Sequence, residues 1–244
     1  VIKNSFILNN IEEQLGDIKQ YNSFVNNTKC DKFERILYLE NKTSVKTHLV
    51  LSADGKNSYL RKLLSVKTIN KNTKHIAISG FLEQSKNHNS TAIQAFTNIG
   101  PIGILPYENK NLVNFILSIE KIEFNKLLSE DKPEYVICNE LNNFFSHIDL
   151  NYNPIKKINK IEYKLSHWDL NLNLVLNPTS SRAILIGDAA HSIHPLAGQG
   201  LNLSLRDCVS ALKAIENCLK FGNDLGDQSI LKLYKNDRLS KTMS

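Results

Sequence analysis

The stretch GDAAHSIHPLAGQGLNLSLRD, Gly187 to Asp207, decides how this chain of 244 residues is read. It gathers three of the ten glycines, Gly187, Gly198 and Gly200, and Pro195 into one junction. Before it, RAILIGD, Arg182 to Asp188, is a continuous apolar run of the kind that forms a strand buried on both faces. After it, Leu201, Leu205, Cys208, Val209, Leu212, Ile215 and Leu219 recur at helical spacing, which predicts an amphipathic helix over residues 200 to 220. Free N–H groups at the start of such a helix attract negative charge, and the helix dipole adds to the attraction. Gly198 and Gly200 let a planar or phosphorylated group lie against that end, and Asp188, just past the strand, is placed to accept hydrogen bonds from a sugar hydroxyl. The same residues also suit a tight connection with Asp188 as a turn residue, and the stretch alone does not choose between the two.

A second motif lies upstream. In ADGKNSYLRKLL, Ala53 to Leu64, Asp54 and Gly55 stand at a strand end, and Ser58 and Arg61 open a short helix. One reading is a turn followed by a basic helix. The other is a cofactor or anion contact, in which Gly55 allows close approach and Arg61 supplies a fixed positive fork.

Around these motifs the pattern is mixed α/β. RILYLE (Arg35 to Glu40) and KTHLVLSAD (Lys46 to Asp54), separated by NKTS, predict a hairpin ending at ADG. HIAISGFL, TAIQAFT, GPIGILPY and LVNFILSIE, between Ile76 and Phe124, predict a mostly antiparallel sheet. Short helices are expected at Ile7 to Leu15, stopped by Gly16, and at Pro133 to Phe145, where the proline suits a first helical position. The hydrophobic content of 41% fits a globular core, and no stretch approaches the roughly 18 apolar residues of a membrane span.

Several functional classes find little support. The net charge of +6 is scattered along Asn- and Lys-rich segments with no groove-reading motif, so no nucleic acid is expected. Cys30, Cys138, Cys208 and Cys218 form no C-x-x-C pair, so reduced thiols are expected, and no metal site. His191 and His194 share a loop without cysteines or a carboxylate cluster and read as hydrogen-bonding residues. A hydrolase built on Ser192 or Ser204 with Asp188 lacks the G-x-S-x-G elbow.

In this order, DGKNSYLR and GDAAHSIHPLAGQGLNLSLRD resemble the D-G-x-x-S-x-x-R and G-D motifs of the flavin-dependent aromatic hydroxylases. Within that group the ending A-G-Q-G-x-N-L-x-L-R-D and the strand GPIGILP are similar to those of ubiquinone-biosynthesis hydroxylases. The resemblance implies an α/β fold: an incomplete FAD-binding domain, residues 1–70 and 166–244, around a β-rich substrate-binding region, residues 71–165. It further implies FAD as cofactor, NAD(P)H as electron donor, and an aromatic, prenylated small-molecule substrate that takes one oxygen atom from dioxygen. Asp188 would meet the ribityl or ribose hydroxyls, Pro195 the flavin edge, and the N–H groups around Gly200, Leu201 and Asn202 the pyrimidine end of the ring. Gly187 and Gly198 belong to the same loop, while Asp54, Gly55 and Arg61 would support FAD and the nicotinamide donor. The resemblance designates no catalytic base, although Tyr107 stands near the strand GPIGILP.

The G-x-G-x-x-G turn that holds the FAD pyrophosphate in this family is absent, and the chain stops soon after LYKNDR. The expectation is therefore a fragment without the ADP-binding unit. VIKNSFILNN has neither a start methionine nor the series of a signal peptide, so the expected location is cytoplasmic. A lipid-like substrate would bring peripheral contact with the inner membrane or a ubiquinone-biosynthesis complex. A hydroxylase of a soluble phenol, or a binding module without catalysis, fits the same motifs.

Overall fold

Most of the expected strands and helices are present in this computed structural model, which describes residues 4–155, 157–158, 161–162, 164–192 and 199–242, although β-structure also runs over Thr68–Gln84 and Ser166–Val175, beyond the expected runs. Helix α1 (Asn4–Gln14) occupies the first expected helical segment, with Phe6, Leu8 and Ile11 exposed. Strands β1 (Val25–Cys30), β2 (Arg35–Leu39) and β3 (Ser44–Thr47) form an antiparallel meander. The expected hairpin partner of RILYLE is thus shorter than KTHLVLSAD. That run breaks where the Arg182 guanidinium donates to the His48 carbonyl at 3.0 Å, and β4 (Val50–Ser52) leaves for a different sheet. The short helix α2 (Tyr59–Leu63) follows.

The chain divides into two units, Val1–Lys19 with Asn72–Leu170, and Gln20–Lys71 with Asn171–Ser244. The first is built on the antiparallel strands β5 (Thr68–Gln84), β6 (Ile93–Thr97), β7 (Gly100–Pro106) and β8 (Leu112–Glu120). Helices α3 (Lys121–Leu128) and α4 (Pro133–Phe144) follow, the latter with the expected proline in its first turn. Period-two alternation sends Ile102, Ile104, Val113, Phe115 and Leu117 to one face, where they pack with Phe124, Ile137 and Leu141 from these helices. The opposite face holds Phe81, Leu105 and Ile116 half-buried. Strand β9 (Tyr152–Pro154) pairs with β5 and is pinned to α4, because the Asn142 amide donates to Tyr152 O at 3.1 Å and accepts Tyr152 N–H at 2.6 Å.

The short pair β10 (Lys157–Ile158) and β11 (Ile161–Glu162) precedes the long strand β12 (Ser166–Val175). The remaining elements belong to the second unit: β13 (Thr179–Ser180), β14 (Ala183–Leu185), β15 (His191–Ser192), α5 (Gln199–Lys220) and α6 (Gln228–Thr242). All three residues of β14 are buried, as the apolar run RAILIGD predicts. It pairs antiparallel with β13 and parallel with β4. Arg182, at the entry to β14, donates to Lys32 O and His48 O and pairs with Asp224, which ties loops distant in sequence together.

Helix α5 lies where the leucine spacing predicts, yet Leu201, Leu205, Val209, Leu212 and Leu219 are all exposed. The inward face carries Asp207, Ala211, Ala214 and Cys218 instead, and the last three pack with Ile184 of β14, with Ile186 just after it and with Ile230, Leu231 and Tyr234 of α6. Small side chains on that face let the helix approach the strand closely, which the bulkier stripe would prevent. No helix among the described residues is long and apolar enough to cross a membrane.

Orientation of α5 and the acid response are both measurable. Ala214→Leu overpacks the buried face and should lower stability by about 1–3 kcal/mol, while Leu212→Gln should change it by less than about 0.5 kcal/mol. Chemical denaturation reads both, and the reverse ranking would place the leucine stripe inward. The Arg182 guanidinium, with help from the Gly226 N–H, lowers the Asp224 pKa from 3.8 to about 2. A depressed carboxyl stabilises the fold above its unfolded pKa and loses that effect as pH falls through the folded value. Stability should therefore drop between about pH 4 and about pH 2, and Asp224→Asn should remove this part of the acid dependence.

Candidate functional site

Two loops in the second unit leave the same end of two neighbouring strands. In the parallel pair, Val50 stands opposite Ala183, Leu51 opposite Ile184 and Ser52 opposite Leu185, and the Ile186 N–H donates to Ser52 O at 2.9 Å. Asp54–Gly55 and Gly187–Asp188, about 130 residues apart in sequence, therefore emerge beside each other. Carboxyl ends of parallel strands are where open α/β sheets bind ligands, because loops diverge there and leave main-chain groups accessible.

The first loop is braced from within. Asp54 Oδ1 accepts hydrogen bonds from the Ser52 and Ser58 hydroxyls, both at 2.6 Å, and Oδ2 accepts the Leu60 N–H at 3.1 Å. Burial pushes this carboxyl up, but the hydrogen bonds outweigh burial and hold its pKa below the ordinary value. Gly55 has φ of +81°, a conformation that favours glycine, and its carbonyl accepts the Ser58 N–H at 2.9 Å. Ser58 then caps α2 by accepting the Arg61 N–H at 2.9 Å. Arg61 is buried, with Nη1 donating to Ala189 O at 2.8 Å and Nη2 to Lys56 O at 2.9 Å. Its positive fork thus grips two carbonyls, one from each motif, and locks the loops together.

The second loop is shaped by close approach. Gly187 has φ of +59°, and a Cβ there would stand 2.8 Å from Ser204 Oγ of α5. Gly187–Ala189 form one turn of 3-10 helix, which exposes Asp188. The Asp188 carboxylate makes no hydrogen bond among the described residues, so its acceptor sites are open. Gly200, Leu201 and Asn202 lie in the first turn of α5, where main-chain N–H groups lack partners inside the helix. Pro195 and Gly198 lie outside the described residues, as does His194.

Behind this turn is a polar cluster that the sequence reading does not foresee. Asp207 is fully buried on α5, and its Oδ2 accepts the Gly187 N–H at 2.8 Å and His191 Nε2–H at 2.7 Å. Arg238 of α6 is also buried and brings Nε within 2.5 Å of Oδ1 as an ion pair, while the Tyr234 hydroxyl donates to Leu185 O at 2.8 Å. The signal for this face exists in the sequence: Asp207, Ala211, Ala214 and Cys218 recur at helical spacing, but the larger leucines dominate the pattern. His191 hydrogen-bonds, as read from its loop context.

An exposed carboxylate at the strand end and a helix start whose N–H groups lack partners inside the helix suit an elongated ligand with a hydroxylated chain and an electron-rich end. This donor and acceptor set fits FAD. Comparison with known proteins points the same way: a family model described as FAD binding domain matches residues 34–243. Ubiquinone biosynthesis monooxygenase COQ6, mitochondrial, of Schizosaccharomyces pombe is 30% identical over an alignment covering 88% of this chain and 52% of that protein. The chain spans about half the length of the curated relatives it matches. Among solved structures, CmlS, a flavin-dependent halogenase, matches with TM-score 0.73 and 16% identity over 97% of this chain and 42% of that one. PqsL, a probable FAD-dependent monooxygenase from Pseudomonas aeruginosa, matches with TM-score 0.72 and 16% identity over 98% of this chain and 65% of that one. These structural likenesses confirm the mixed α/β fold expected from the motifs.

The brace between the two motifs can be cut at one residue. Arg61→Met leaves the Ala189 and Lys56 carbonyls without their donors and should cost about 1–3 kcal/mol. Urea denaturation measures the loss, and an unchanged midpoint would mean that Arg61 does not join the loops.

Proposed function

Because the chain belongs to the FAD-binding domain family, we propose that it supplies the flavin-contacting part of a FAD-dependent monooxygenase. Its substrate is the aromatic ring of a prenylated ubiquinone precursor, with NAD(P)H as electron donor and dioxygen as oxygen source. The observation that carries the flavin reading is the exposed Asp188 carboxylate, without a hydrogen bond among the described residues, together with the first turn of α5, whose N–H groups lack partners inside the helix. The substrate class is supported by relatives named as ubiquinone biosynthesis monooxygenases.

In this reading Asp188 accepts hydrogen bonds from the hydroxyls of the flavin side chain. The N–H groups of Gly200, Leu201 and Asn202 face the pyrimidine end of the ring, where the helix dipole favours negative charge. Gly187 and Gly198 keep side chains out of the cofactor's path, and Pro195 lines the flavin edge. Asp54, Gly55 and Arg61 act through the braced first loop, which supports FAD and the approach of the nicotinamide donor. When bound, FAD supplies the redox chemistry that carries two electrons from NAD(P)H and activates dioxygen. The chain's own contribution is to orient the cofactor and to keep water from the reacting groups.

Residues 71–165 are the substrate-binding region. The half-buried face formed by Phe81, Leu105 and Ile116 offers an apolar wall for an aromatic ring and an isoprenoid chain. Tyr107 packs edge-on against Phe81 with ring centres 4.8 Å apart, which fixes the rim of that face. We place the protein in the cytoplasm with peripheral contact at the inner membrane, while the COQ6 relatives are mitochondrial by name.

Fluorescence titration tests the cofactor assignment. The chain should quench and retain FAD, and Asp188→Ala should weaken binding by about tenfold or more, the effect of losing a hydrogen bond to a charged group. Equal affinity in the two proteins would remove Asp188 from the site. Turnover of a prenylated phenol, with none of a small phenolic acid, would support the substrate class, and the opposite preference would favour a hydroxylase of soluble phenols.

A further inference from the structure

We propose that Asp207 is a positioning residue that sets the turn displaying Asp188, and through it the cofactor contact. The proposal rests on the flavin reading and extends it to a side chain that touches no ligand. Gly187 and His191 flank the turn on either side of Asp188, and one oxygen of Asp207 receives both, at 2.8 and 2.7 Å. A single acceptor atom therefore fixes both ends of the turn while Asp188 itself stays exposed.

Burial makes this arrangement consequential. Asp207 is 0% exposed, His191 5% and Arg238 3%, so no solvent can replace a lost partner. An ionised carboxylate only accepts hydrogen bonds, so His191 presents its Nε2 proton and turns Nδ1 away. Nδ1 is buried without a hydrogen-bond partner among the described residues, which leaves Asp207 as the group that orients the ring. Arg238 supplies the counter-charge from α6, and Tyr234, one turn earlier on that helix, bonds the last carbonyl of β14. The turn is thus held from behind by α5 and α6, on the side away from the exposed Asp188.

The positioning role separates from simple stabilisation in a double variant. Asp207→Leu removes the acceptor and strands the Arg238 charge; Asp207→Leu with Arg238→Met removes both charges and should melt above the single variant, since paired replacement avoids a lone buried ion. Amide hydrogen exchange over residues 187–192 should stay fast in both variants relative to the parent chain, with strand β8 unchanged as an internal reference. FAD affinity should remain about tenfold or more below that of the parent chain. If the double variant regains its melting point together with protection at Gly187 and parental FAD affinity, Asp207 is only half of a stabilising pair and the proposal fails. The parent chain provides a test that needs no variant: a Gly187 amide exchanging as fast as exposed loop amides would overturn the proposal. Absence of FAD binding by the parent chain would count against the flavin reading alone, because the exchange measurement still decides whether Asp207 holds the turn.

Discussion

A buried carboxylate is the constraint from which the second unit is organised. Asp207 has no access to water, so its charge has to be met by protein groups, and each group that meets it comes from a different place in the chain. Gly187 contributes a main-chain N–H, His191 a ring N–H and Arg238 a guanidinium. To satisfy that one side chain, the end of β14, the start of β15 and the face of α6 have to converge on α5. The open acceptors of Asp188 are a by-product of this convergence, since the turn is tied down at both flanks and not at its tip.

Convergence in turn needs room. A Cβ on Gly187 would crowd the Ser204 hydroxyl, and the inward face of α5 is built from Ala211, Ala214 and Cys218. Small residues there bring the helix to the strand, and the helix start to the G-D turn. The first loop is held by other means: Asp54 gathers hydroxyls and an N–H, and Arg61 reaches across to Ala189. Two motifs remote in sequence are brought side by side by a parallel strand pair and one guanidinium.

Much of this was legible from residue patterns. The antiparallel strands between Ile76 and Glu120, the buried run at Ala183 to Leu185 and the helix after residue 199 all follow from apolar periodicity, which local geometry respects. Which face of α5 turns inward was not legible, because periodicity reports that a face is apolar and not what lies against it. The leucines dominate the pattern, whereas burial was decided by the space available beside Gly187 and β14. The parting of β4 from the first hairpin was hidden for a related reason. Its cause, Arg182 at His48 O, lies more than a hundred residues away, beyond the reach of any local reading. The motif DGKNSYLR suggests Arg61 as a positive fork for an anion or cofactor, and its spacing could not show that the guanidinium binds the Ala189 and Lys56 carbonyls.

The Asp207–Arg238 pair also imposes an order on biosynthesis. During synthesis from the amino terminus, β14, the G-D turn and α5 leave the ribosome before the arginine that neutralises α5 at its centre. Until α6 docks, Asp207 lacks its counter-charge, and burying that carboxylate against β14 without its partner is costly. A nascent chain that has already formed its antiparallel sheet still lacks the arginine that closes the Asp207 cluster, so that part of the second unit is completed last.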